Sequence, residues 1–249
     1  MISAVILTNN SAKYLEKCLS SLSFCSEKIV IDDESTDDTL KIAKDLGAIV
    51  FNRKLNGNFA DQRNFGLTNA TPPWVLFIDS DELVSKELSE EIKEAIKSNQ
   101  YNGYFIPRLD IFDGKILKFG ETGNIKLLRL AKKDVGRWER KIHETWHIKG
   151  PIGELKSPIL HYPHPTVREF LSEINDYSTL HAQELRKEGK MANVFTIIFY
   201  PTLKFIQNYF LKFGFLDGVP GFIYAAMMSF HSFLSQTKLW QIQNPQPKI

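Results

Sequence analysis

Short apolar runs rich in β-branched residues alternate with helical patterns over the first 83 residues. Four runs have the length and composition of buried strands: ISAVIL, KIVID, AIVF and WVLFID. Apolar residues recur at helical spacing in four segments: 11–22, 36–46, 59–68 and 86–98. Alternating strands and helices are typical of βα units around a largely parallel sheet. The first half is therefore predicted to be a Rossmann-like α/β fold.

After Gly103 the pattern changes to strand-like stretches separated by glycine and aspartate. These stretches are YFIPRLDIF, KILKFG and NIKLLRL. Asp113 and Gly114 stand between the first two, and Asp-Gly between apolar runs favours a tight hairpin turn. A helical pattern follows from about Thr166 to Gly189. The sheet is therefore predicted to be mixed in its second half.

The segment 191–249 shows an amphipathic helical pattern. Its large apolar residues recur at helical spacing: Phe195, Ile198, Phe199, Phe205, Ile206, Tyr209, Phe210 and Phe213. The polar residues of the other side are Lys204, Gln207, Asn208 and Lys212. The later run 219–234 is shorter than the roughly 20 apolar residues that span a bilayer, so no transmembrane helix is expected. Two interpretations remain open: helices that pack on the core, or helices that lie in a membrane interface.

Composition separates this tail from the rest of the chain. Residues 191–249 contain four lysines, one acid and 13 of the 30 aromatic residues, whereas the net charge of the whole chain is only +2. We therefore expect an α/β domain over residues 1–190 and a basic, aromatic-rich, membrane-associating helical region over residues 191–249. The small net charge and the lack of a Lys/Arg-rich block exclude nucleic acid as the expected partner.

Cysteine usage and the N-terminus indicate a cytoplasmic protein. Cys18 and Cys25 have no CxxC or Cys/His ligand spacing, so they are interpreted as buried structural thiols in a reducing compartment. The apolar run from Ile2 to Leu7 follows no basic residues and becomes polar at Thr8. It is interpreted as a strand and not as a secretion signal.

The strongest chemical signal is WVLFIDSDE at residues 74–82, where a buried strand ends in carboxylates. Ligands of open α/β sheets bind beyond the carboxyl ends of the strands, so Asp79 and Asp81 are expected to face a site. Mg²⁺ and Mn²⁺ prefer carboxylate oxygens and share their other positions between water and substrate phosphates. Asp79 and Asp81 are therefore predicted to hold a divalent cation. The alternative is that Asp-Ser-Asp only ends the strand and caps the next helix.

Three more motifs precede this one. The first strand ends in ILTNN, the second in IDDESTDDT, and GNFADQRNFGL opens a helix before the Asp-Ser-Asp strand. In order and spacing, the four motifs resemble the inverting glycosyltransferase family 2, securely over residues 2 to about 100. The resemblance implies the GT-A fold and a nucleotide-sugar diphosphate bound through the cation.

The same motifs supply candidate donor-binding residues. Asp32 or Asp33, at a strand end, can accept a hydrogen bond from the base or ribose, and the resemblance favours Asp33. Thr8 and Asn9 would present polar groups to the nucleoside.

Arg63 is the best-placed cation for the diphosphate, because a guanidinium binds phosphate oxygens bidentately. Gln62 and Asn64 are expected to assist it. The other interpretation of Arg63 is a surface salt bridge to Asp61 or another acid.

The acceptor side needs a general base, because inverting transfer is a single displacement by a hydroxyl group. Such a base typically contributes about 10² to 10⁴-fold to the rate. In KIHETWHIKG, residues 141–150, Glu144 is the predicted base, with His143 as its neighbour or as the base itself. The alternative is that both residues lie on a polar strand edge.

The roles of one histidine and two tryptophans remain open. A lone histidine is more often structural, but the late metal-binding histidine of some GT-A enzymes makes His161, in ILHYPHP, a candidate ligand. Trp138 and Trp146 are suited either to stacking on an acceptor sugar or to the core.

The second half of the chain resembles a narrower group of enzymes within this family. RLAKKDVGRW, KIHE, ILHY and YFLKFGFLDGVPGF are similar to segments of bacterial lipopolysaccharide core glycosyltransferases of the β-1,4-glucosyltransferase type. This implies hexose transfer from a UDP-sugar to a membrane-bound glycolipid, by an enzyme held peripherally on the cytoplasmic face of the inner membrane. Anionic headgroups attract a basic face by roughly 1 kcal/mol per Lys or Arg, which fits the tail.

Two other functions compete with glycosyl transfer. A sugar nucleotidyltransferase should have a glycine-rich basic loop after its first strand, where this chain has TNNSAKY. A non-catalytic family member would bind the nucleotide-sugar without turnover.

Overall fold

The structure is a computed structural model that describes residues 1–141, 144–163 and 166–245. The chain forms two compact units. The first unit comprises Met1–Arg108 and Ile125–His161, and the second comprises Leu109–Asn124 and Tyr162–Ile249. The sequence predicts a domain boundary at residue 190, which stays a prediction. The compact units divide earlier, since the helix 167–187 belongs to the second unit.

Most of the secondary structure of the first unit belongs to one sheet and its covering helices. The strands of the chain, in order, are β1 (Ile2–Thr8), β2 (Glu27–Asp32), β3 (Ile49–Asn52), β4 (Trp74–Asp79), β5 (Glu82–Val84), β6 (Gly103–Phe112), β7 (Lys115–Ile116), β8 (Ile125–Lys132), β9 (Gly136–Glu139), β10 (Thr145–Ile148), β11 (Ile152–Glu154) and β12 (Ile159–His161). The helices of the first unit are α1 (Ala12–Ser21), α2 (Thr39–Asp45), α3 (Phe59–Asn69) and α4 (Lys86–Ser98).

The sheet order is β3-β2-β1-β4-β8-β6-β12-β5, with β7 and β11 also paired to β6. Strands β1 to β4 are mutually parallel, whereas β8 runs antiparallel to both β4 and β6. In the register, Thr8 is opposite Asp32 and Leu7 is opposite Asp79. The carboxyl ends of β1, β2 and β4 therefore meet at one edge of the sheet. The predicted α/β class, with a mixed second half, is confirmed.

The parallel strands are apolar because both faces of the sheet are covered. Val75 to Ile78 of β4 are fully buried. One face packs against Leu15 and Leu19 of α1, and the other packs against α3 and the strand pair β9–β10. Strands buried on both faces are expected to be near-continuous hydrophobic runs, which is how the sequence pattern located them.

Helix α3 lies unusually close to the sheet because of Gly66. A Cβ atom at this position would stand 2.4 Å from Cγ1 of Val5 and 2.7 Å from Cδ1 of Ile31. Both neighbours are fully buried and have little room to move. The close approach places Arg63, one turn earlier on the same helix, over the end of the sheet.

The predicted and observed helices differ at the start of α2. The pattern predicts a helix from Thr36 to Leu46, but α2 begins at Thr39. The carboxylate of Asp37 accepts a hydrogen bond from the backbone N–H of Thr39 at 3.0 Å, which holds the preceding residues in a turn. The predicted hairpin is present: Phe112 pairs with Lys115, and Asp113 and Gly114 have φ values of 49° and 72°.

The second unit is mainly helical. Its helices are α5 (Val167–Lys187), α6 (Val194–Ile206), which continues into a π-helical turn at Gln207–Leu211, and α7 (Val219–Gln243). A 3-10 turn at Gly214–Asp217 precedes α7. The carboxylate of Asp217 accepts hydrogen bonds from the backbone N–H groups of Lys118 and Phe119, at 3.0 and 2.9 Å. The GFLDG motif therefore fixes a loop of this unit.

No helix in the described part of the chain is both long and apolar enough to cross a membrane.

We expect Gly66→Ala to lower the free energy of unfolding by about 1–3 kcal/mol, because the new methyl group overpacks the contact between α3 and the sheet. This loss exceeds the gain in helix propensity of roughly 0.5–1 kcal/mol. Urea unfolding measures it. Thr68→Ala, an exposed change on the same helix, is the control and should stay within about 0.5 kcal/mol of the parent. Equal stability of the two variants would contradict the packing argument.

Candidate active site

The carboxylate of Asp79 lies at the centre of the candidate site. Asp79 ends β4, and its Oδ1 accepts a hydrogen bond from Nη2 of Arg63 at 2.9 Å. Its Oδ2 accepts one from Nη2 of Arg129 at 2.5 Å. Arg63 comes from α3 and Arg129 from β8, and both are buried. Ion pairs therefore join three elements at the carboxyl edge of the sheet.

Glu82 adds a second carboxyl group to this cluster. It begins β5 and is fully buried. Its Oε2 accepts a hydrogen bond from the backbone N–H of Asp79 at 2.9 Å, and its Oε1 lies 3.5 Å from Nη2 of Arg129. Within the described residues, Oε1 makes no hydrogen bond.

The two arginines keep Asp79 ionised. Burial by itself would raise the pKa of Asp79, but the charges and hydrogen bonds of Arg129 and Arg63 outweigh it and hold that pKa well below its usual range. Burial would likewise lower the pKa of Arg129, but Asp79 and Glu82 raise it above its ordinary value. Because the folded pKa of Asp79 is lowered, its stabilising contribution is present above the unfolded pKa and is lost only in strong acid.

Glu82 shows the opposite behaviour. Burial raises the pKa of its carboxyl group, the charge of Arg129 opposes this, and the negative charge of Asp79 adds to the rise. The net pKa is above the ordinary value for a glutamate.

Arg63 is a buried bridging residue. Its Nε donates to Oε1 of Glu144 at 2.8 Å, and its guanidinium carbon lies 4.8 Å from the ring centre of Trp138. The surface salt bridge considered for Arg63 is not formed with Asp61, which instead contacts Arg53 at 2.5 Å. Its partners are therefore the acids of the site.

Trp138 and Trp146 belong to the core. They are opposite each other on β9 and β10, with stacked rings whose centres are 5.3 Å apart, and both are buried. Asn64 ties this strand pair to α3 through two 2.9 Å hydrogen bonds with the backbone of Trp138. The two tryptophans thus help to position Arg63, and they expose no stacking surface.

Glu144 is joined to the cluster around Asp79 through Arg63. It precedes β10, and its side chain is 16% exposed, so it is held near the surface of the site. His143, the other candidate for the base, lies outside the described residues. The structure therefore brings Glu144, one of the two predicted acceptor-side residues, into contact with the arginine that also binds Asp79.

Asp81 and His161 form a second pair at the same edge. The Nε2 of His161 lies 3.4 Å from Oδ2 of Asp81, because His161 on β12 is opposite Glu82 on β5. A carboxylate oxygen and an imidazole nitrogen are both metal-ligand atoms. No group of three or more His, Cys, Asp or Glu side chains that could hold a metal occurs in the described part of the chain.

The candidate nucleoside-binding residues follow β1 and β2. Thr8 donates a 2.9 Å hydrogen bond to Oδ1 of Asp32, and both are buried. Asn9 donates to the backbone carbonyl of Asp33 at 2.5 Å. The Oδ1 of Asp33 accepts from the backbone N–H of Leu55 at 2.9 Å. Asp32 is committed to fixing the loop, whereas Asp33 remains partly exposed at the edge.

Gln62 is buried and supports the end of β3. Its side chain exchanges hydrogen bonds with Arg53, accepting from Nη1 at 2.6 Å and donating to the backbone carbonyl at 2.5 Å. Its predicted assistance to Arg63 in phosphate binding stays a prediction.

Arg129 was missed from sequence. A lone arginine inside the apolar run KLLRLA was the available signal, because a charged residue in a buried strand is rarely without a partner. Glu82 carried a similar signal as the third acid of the run WVLFIDSDE.

Neither cysteine is a reactive thiol. Cys18 is buried with its Sγ 3.5 Å from the carbonyl oxygen of Asp79, and burial together with the nearby acids raises its pKa well above the ordinary value. Burial raises the pKa of Cys25 to about 12, although its side chain is only partly buried. Both thiols remain protonated at neutral pH.

A parallel sheet whose carboxyl edge bears acids and arginines is suited to binding a phosphorylated nucleotide ligand. Residues 3–148 match the model of the family described as "Glycosyl transferase family 2". The chain belongs to this family and is a glycosyltransferase.

Relatives extend the similarity over nearly the whole chain. The "Lipopolysaccharide core biosynthesis glycosyltransferase LpsC" of Rhizobium meliloti (strain 1021) is 30% identical over 248 residues, which cover 96% of this chain and 92% of the relative. An uncharacterized glycosyltransferase of Rickettsia conorii is 30% identical over 254 residues, covering 96% of this chain and 89% of that protein.

Solved structures agree with the fold. The crystal structure of S. aureus TarS 1–349 has a TM-score of 0.51 and 17% identity, covering 100% of this chain and 93% of that one. The same protein in complex with UDP-GlcNAc gives a TM-score of 0.50 at 16% identity. The predicted GT-A fold is confirmed.

Glu82→Gln should remove a pH dependence of stability. The folded pKa of Glu82 lies above its unfolded value of about 4.3, so its stabilising contribution is complete below about pH 4 and declines as the pH rises through the folded pKa. Glutamine has no such decline. We therefore expect the unfolding free energy of the variant, relative to the parent, to increase from pH 4 to pH 8.

Urea unfolding at each pH measures this difference. Glu90→Gln, an exposed change on α4, is the matched control and should give a nearly constant difference. A relative stability of Glu82→Gln that is flat or falls with pH would contradict the raised pKa.

Proposed function

We propose that this glycosyltransferase moves a hexose from a UDP-sugar to a lipopolysaccharide core or other membrane-bound glycan, with a divalent cation and inversion of configuration. The observation that carries the proposal is the cluster at the end of β4. It holds Asp79 between two arginines and brings Glu144 and the Asp81–His161 pair to the same edge.

The charge of the site supports diphosphate binding. Arg63 and Arg129 carry two fixed positive charges in a buried environment, where electrostatic interactions are stronger than in water. Nη1 of Arg63 is buried without a hydrogen-bond partner among the described residues. Arg63 and Arg129 hold Asp79 in place and place positive charge beside the leaving diphosphate. Thr8, Asn9 and Asp33 contact the nucleoside at the neighbouring strand ends.

The donor set fits a divalent cation whose coordination is completed by the substrate. Mg²⁺ sites commonly use one or two carboxylates together with waters and substrate phosphates. The side chain of Asp81 is 31% exposed, and His161 lies beside it, so these two residues would hold the ion. Both oxygens of Asp79 already accept hydrogen bonds from arginine, so Asp81 is the surer ligand of the two predicted carboxylates. The bound ion supplies Lewis-acid stabilisation of the diphosphate.

Glu144 is the proposed general base. The acceptor hydroxyl oxygen forms a bond to the anomeric carbon while the bond from that carbon to the diphosphate oxygen breaks, and the hydroxyl proton passes to Glu144. Arg63 fixes Oε1 of Glu144 at 2.8 Å, so the geometry of the base depends on the same residue that holds Asp79.

The acceptor is inferred from the relatives. LpsC is described as a lipopolysaccharide core biosynthesis glycosyltransferase, and its similarity to this chain extends through the second unit as well as the first. A lipid-linked acceptor requires the enzyme to work at a membrane surface, which supports peripheral attachment on the cytoplasmic face of the inner membrane.

Family membership favours glycosyl transfer over a sugar nucleotidyltransferase. The non-catalytic alternative is decided by turnover: release of UDP from UDP-glucose with Mn²⁺ and a lipopolysaccharide acceptor. UDP-GlcNAc and UDP-galactose are the next donors to assay. Acceptor-dependent UDP release supports the proposal, and its absence with all three donors contradicts it.

Asp81→Ala should abolish the contribution of the cation to UDP binding. We expect Mn²⁺-dependent UDP affinity to fall at least about 10 to 100-fold, the size of effect seen when a metal shell is disturbed. Isothermal titration with UDP, with and without Mn²⁺, measures this. Asp45→Ala, an exposed change on α2, is the control and should bind as the parent does. Unchanged cation dependence in Asp81→Ala would exclude Asp81 as the ligand.

Glu144→Gln should lower kcat by about 10² to 10⁴-fold while the KM for the UDP-sugar changes little, because glutamine keeps the hydrogen bond to Arg63 but accepts no proton. Glu139→Gln, an exposed change on the adjacent strand, is the control. A full transfer rate in Glu144→Gln would place the base elsewhere.

A further inference from the structure

Helix α6 exposes its apolar side to solvent. Along α6 and the π-helical turn after it, the outer stripe consists of Phe195, Ile198, Phe199, Leu203, Ile206 and Phe210. The exposed fractions are 72% for Phe195, 55% for Ile198, 53% for Phe199 and 57% for Leu203. No residue of α6 is buried. An amphipathic helix on the surface of a water-soluble protein has the reverse arrangement, with its apolar side facing the core.

Two polar side chains on the opposite side, Lys204 of α6 and Asn208 of the π-helical turn, contact the rest of the second unit. Lys204 donates to Oε1 of Glu121 at 2.8 Å, and Asn208 donates to Oε2 of the same carboxylate at 3.0 Å. Ser229 of α7 donates to the carbonyl of Pro201 at 2.7 Å. These hydrogen bonds fix the rotation of α6 about its axis. The outward position of the outer stripe is therefore specified by the fold.

Contiguous exposed apolar surface of this kind marks an interaction site. Its composition favours a lipid surface. Between Met191 and Leu216 the sequence contains no acid, and Lys190 and Lys212, near the two ends of the stripe, are exposed. Phenylalanine side chains beside lysines on a helix are typical of insertion into an anionic membrane interface.

The length of the helix defines the mode of contact. Thirteen residues of α6 span about 20 Å, which is shorter than the roughly 30 Å hydrocarbon core of a bilayer. Such a helix lies in the plane of the interface and does not cross it.

We propose that α6 lies in the plane of a membrane rich in anionic lipid, with the outer stripe inserted at the boundary between headgroups and acyl chains and with Lys190 and Lys212 at the headgroups. This names the surface by which the enzyme meets its membrane. It rests on the proposed function only for the identity of the lipid-linked acceptor.

Vesicle flotation tests the proposal with the full chain. The probes are phosphatidylcholine vesicles and vesicles of phosphatidylcholine and phosphatidylglycerol at three to one. The double variant Phe195→Glu/Phe199→Glu places two charges in the outer stripe, and its partition onto the anionic vesicles should fall at least about ten-fold. The parent should bind pure phosphatidylcholine several-fold more weakly than the anionic vesicles.

Leu171→Glu/Leu180→Glu is the matched control. It places two charges at exposed apolar positions of α5, which are 40% and 44% exposed, and vesicle binding should stay within about two-fold of the parent. Circular dichroism and thermal melting check that both double variants fold as the parent does. If Phe195→Glu/Phe199→Glu unfolds, the milder Phe195→Ser/Phe199→Ser replaces it, with the same expected direction.

Other occupants of the stripe give different results. If a second copy of the chain covered the stripe, size-exclusion chromatography would show a dimer for the parent and a monomer for Phe195→Glu/Phe199→Glu, and the parent would not bind vesicles. This result would overturn the proposal. Equal loss of binding in both double variants also overturns it. Flotation needs neither donor nor acceptor, so vesicle binding without UDP release would contradict the proposed function alone, whereas UDP release without vesicle binding would contradict this inference alone.

Discussion

The carboxylate of Asp79, shared by two buried guanidinium groups, is the interaction on which the arrangement of the site depends. Through Arg63 it connects β4 to α3 and to Glu144, and through Arg129 it connects β4 to β8. Removing one partner from such a cluster typically costs about 3–5 kcal/mol, because a charge is left buried without compensation. The same bonds that stabilise this edge of the sheet therefore hold Arg63, Arg129 and Glu144 in a fixed relation to Asp79.

The packing beneath the cluster explains why these charges can meet. Gly66 lets α3 rest directly on β1 and β2, and Asn64 ties the same helix to the backbone of Trp138. Arg63 leaves the helix between these two contacts with its guanidinium against an aromatic ring. Gly66 and the two buried tryptophans thus help to position the guanidinium of Arg63, although none of them carries a charge.

Much of this could be predicted from the sequence, because strands buried on both faces are continuous apolar runs and because β1 to β4 are parallel neighbours. Thr8 and Asp79 end such strands, Asp33 follows one, and all three lie on one edge as expected. Arg129 could not be assigned, since its partner depends on the antiparallel register of β8 beside β4, which no local pattern specifies. The orientation of α6 could not be predicted for the same reason. Helical spacing defines the two sides of α6, but the side that faces inward is set by the long-range contact of Lys204 with Glu121, 83 residues earlier in the chain.

The two native thiols have a practical consequence. Cys18 is enclosed beneath Asp79 and Cys25 has a pKa of about 12, so neither supplies appreciable thiolate to an alkylating reagent at neutral pH. A cysteine introduced on an exposed surface would therefore react selectively in the otherwise natural chain. Fluorescent or spin probes could be attached to this protein without first removing its own sulfur atoms, and the contact between Cys18 and the centre of the site would stay intact during labelling.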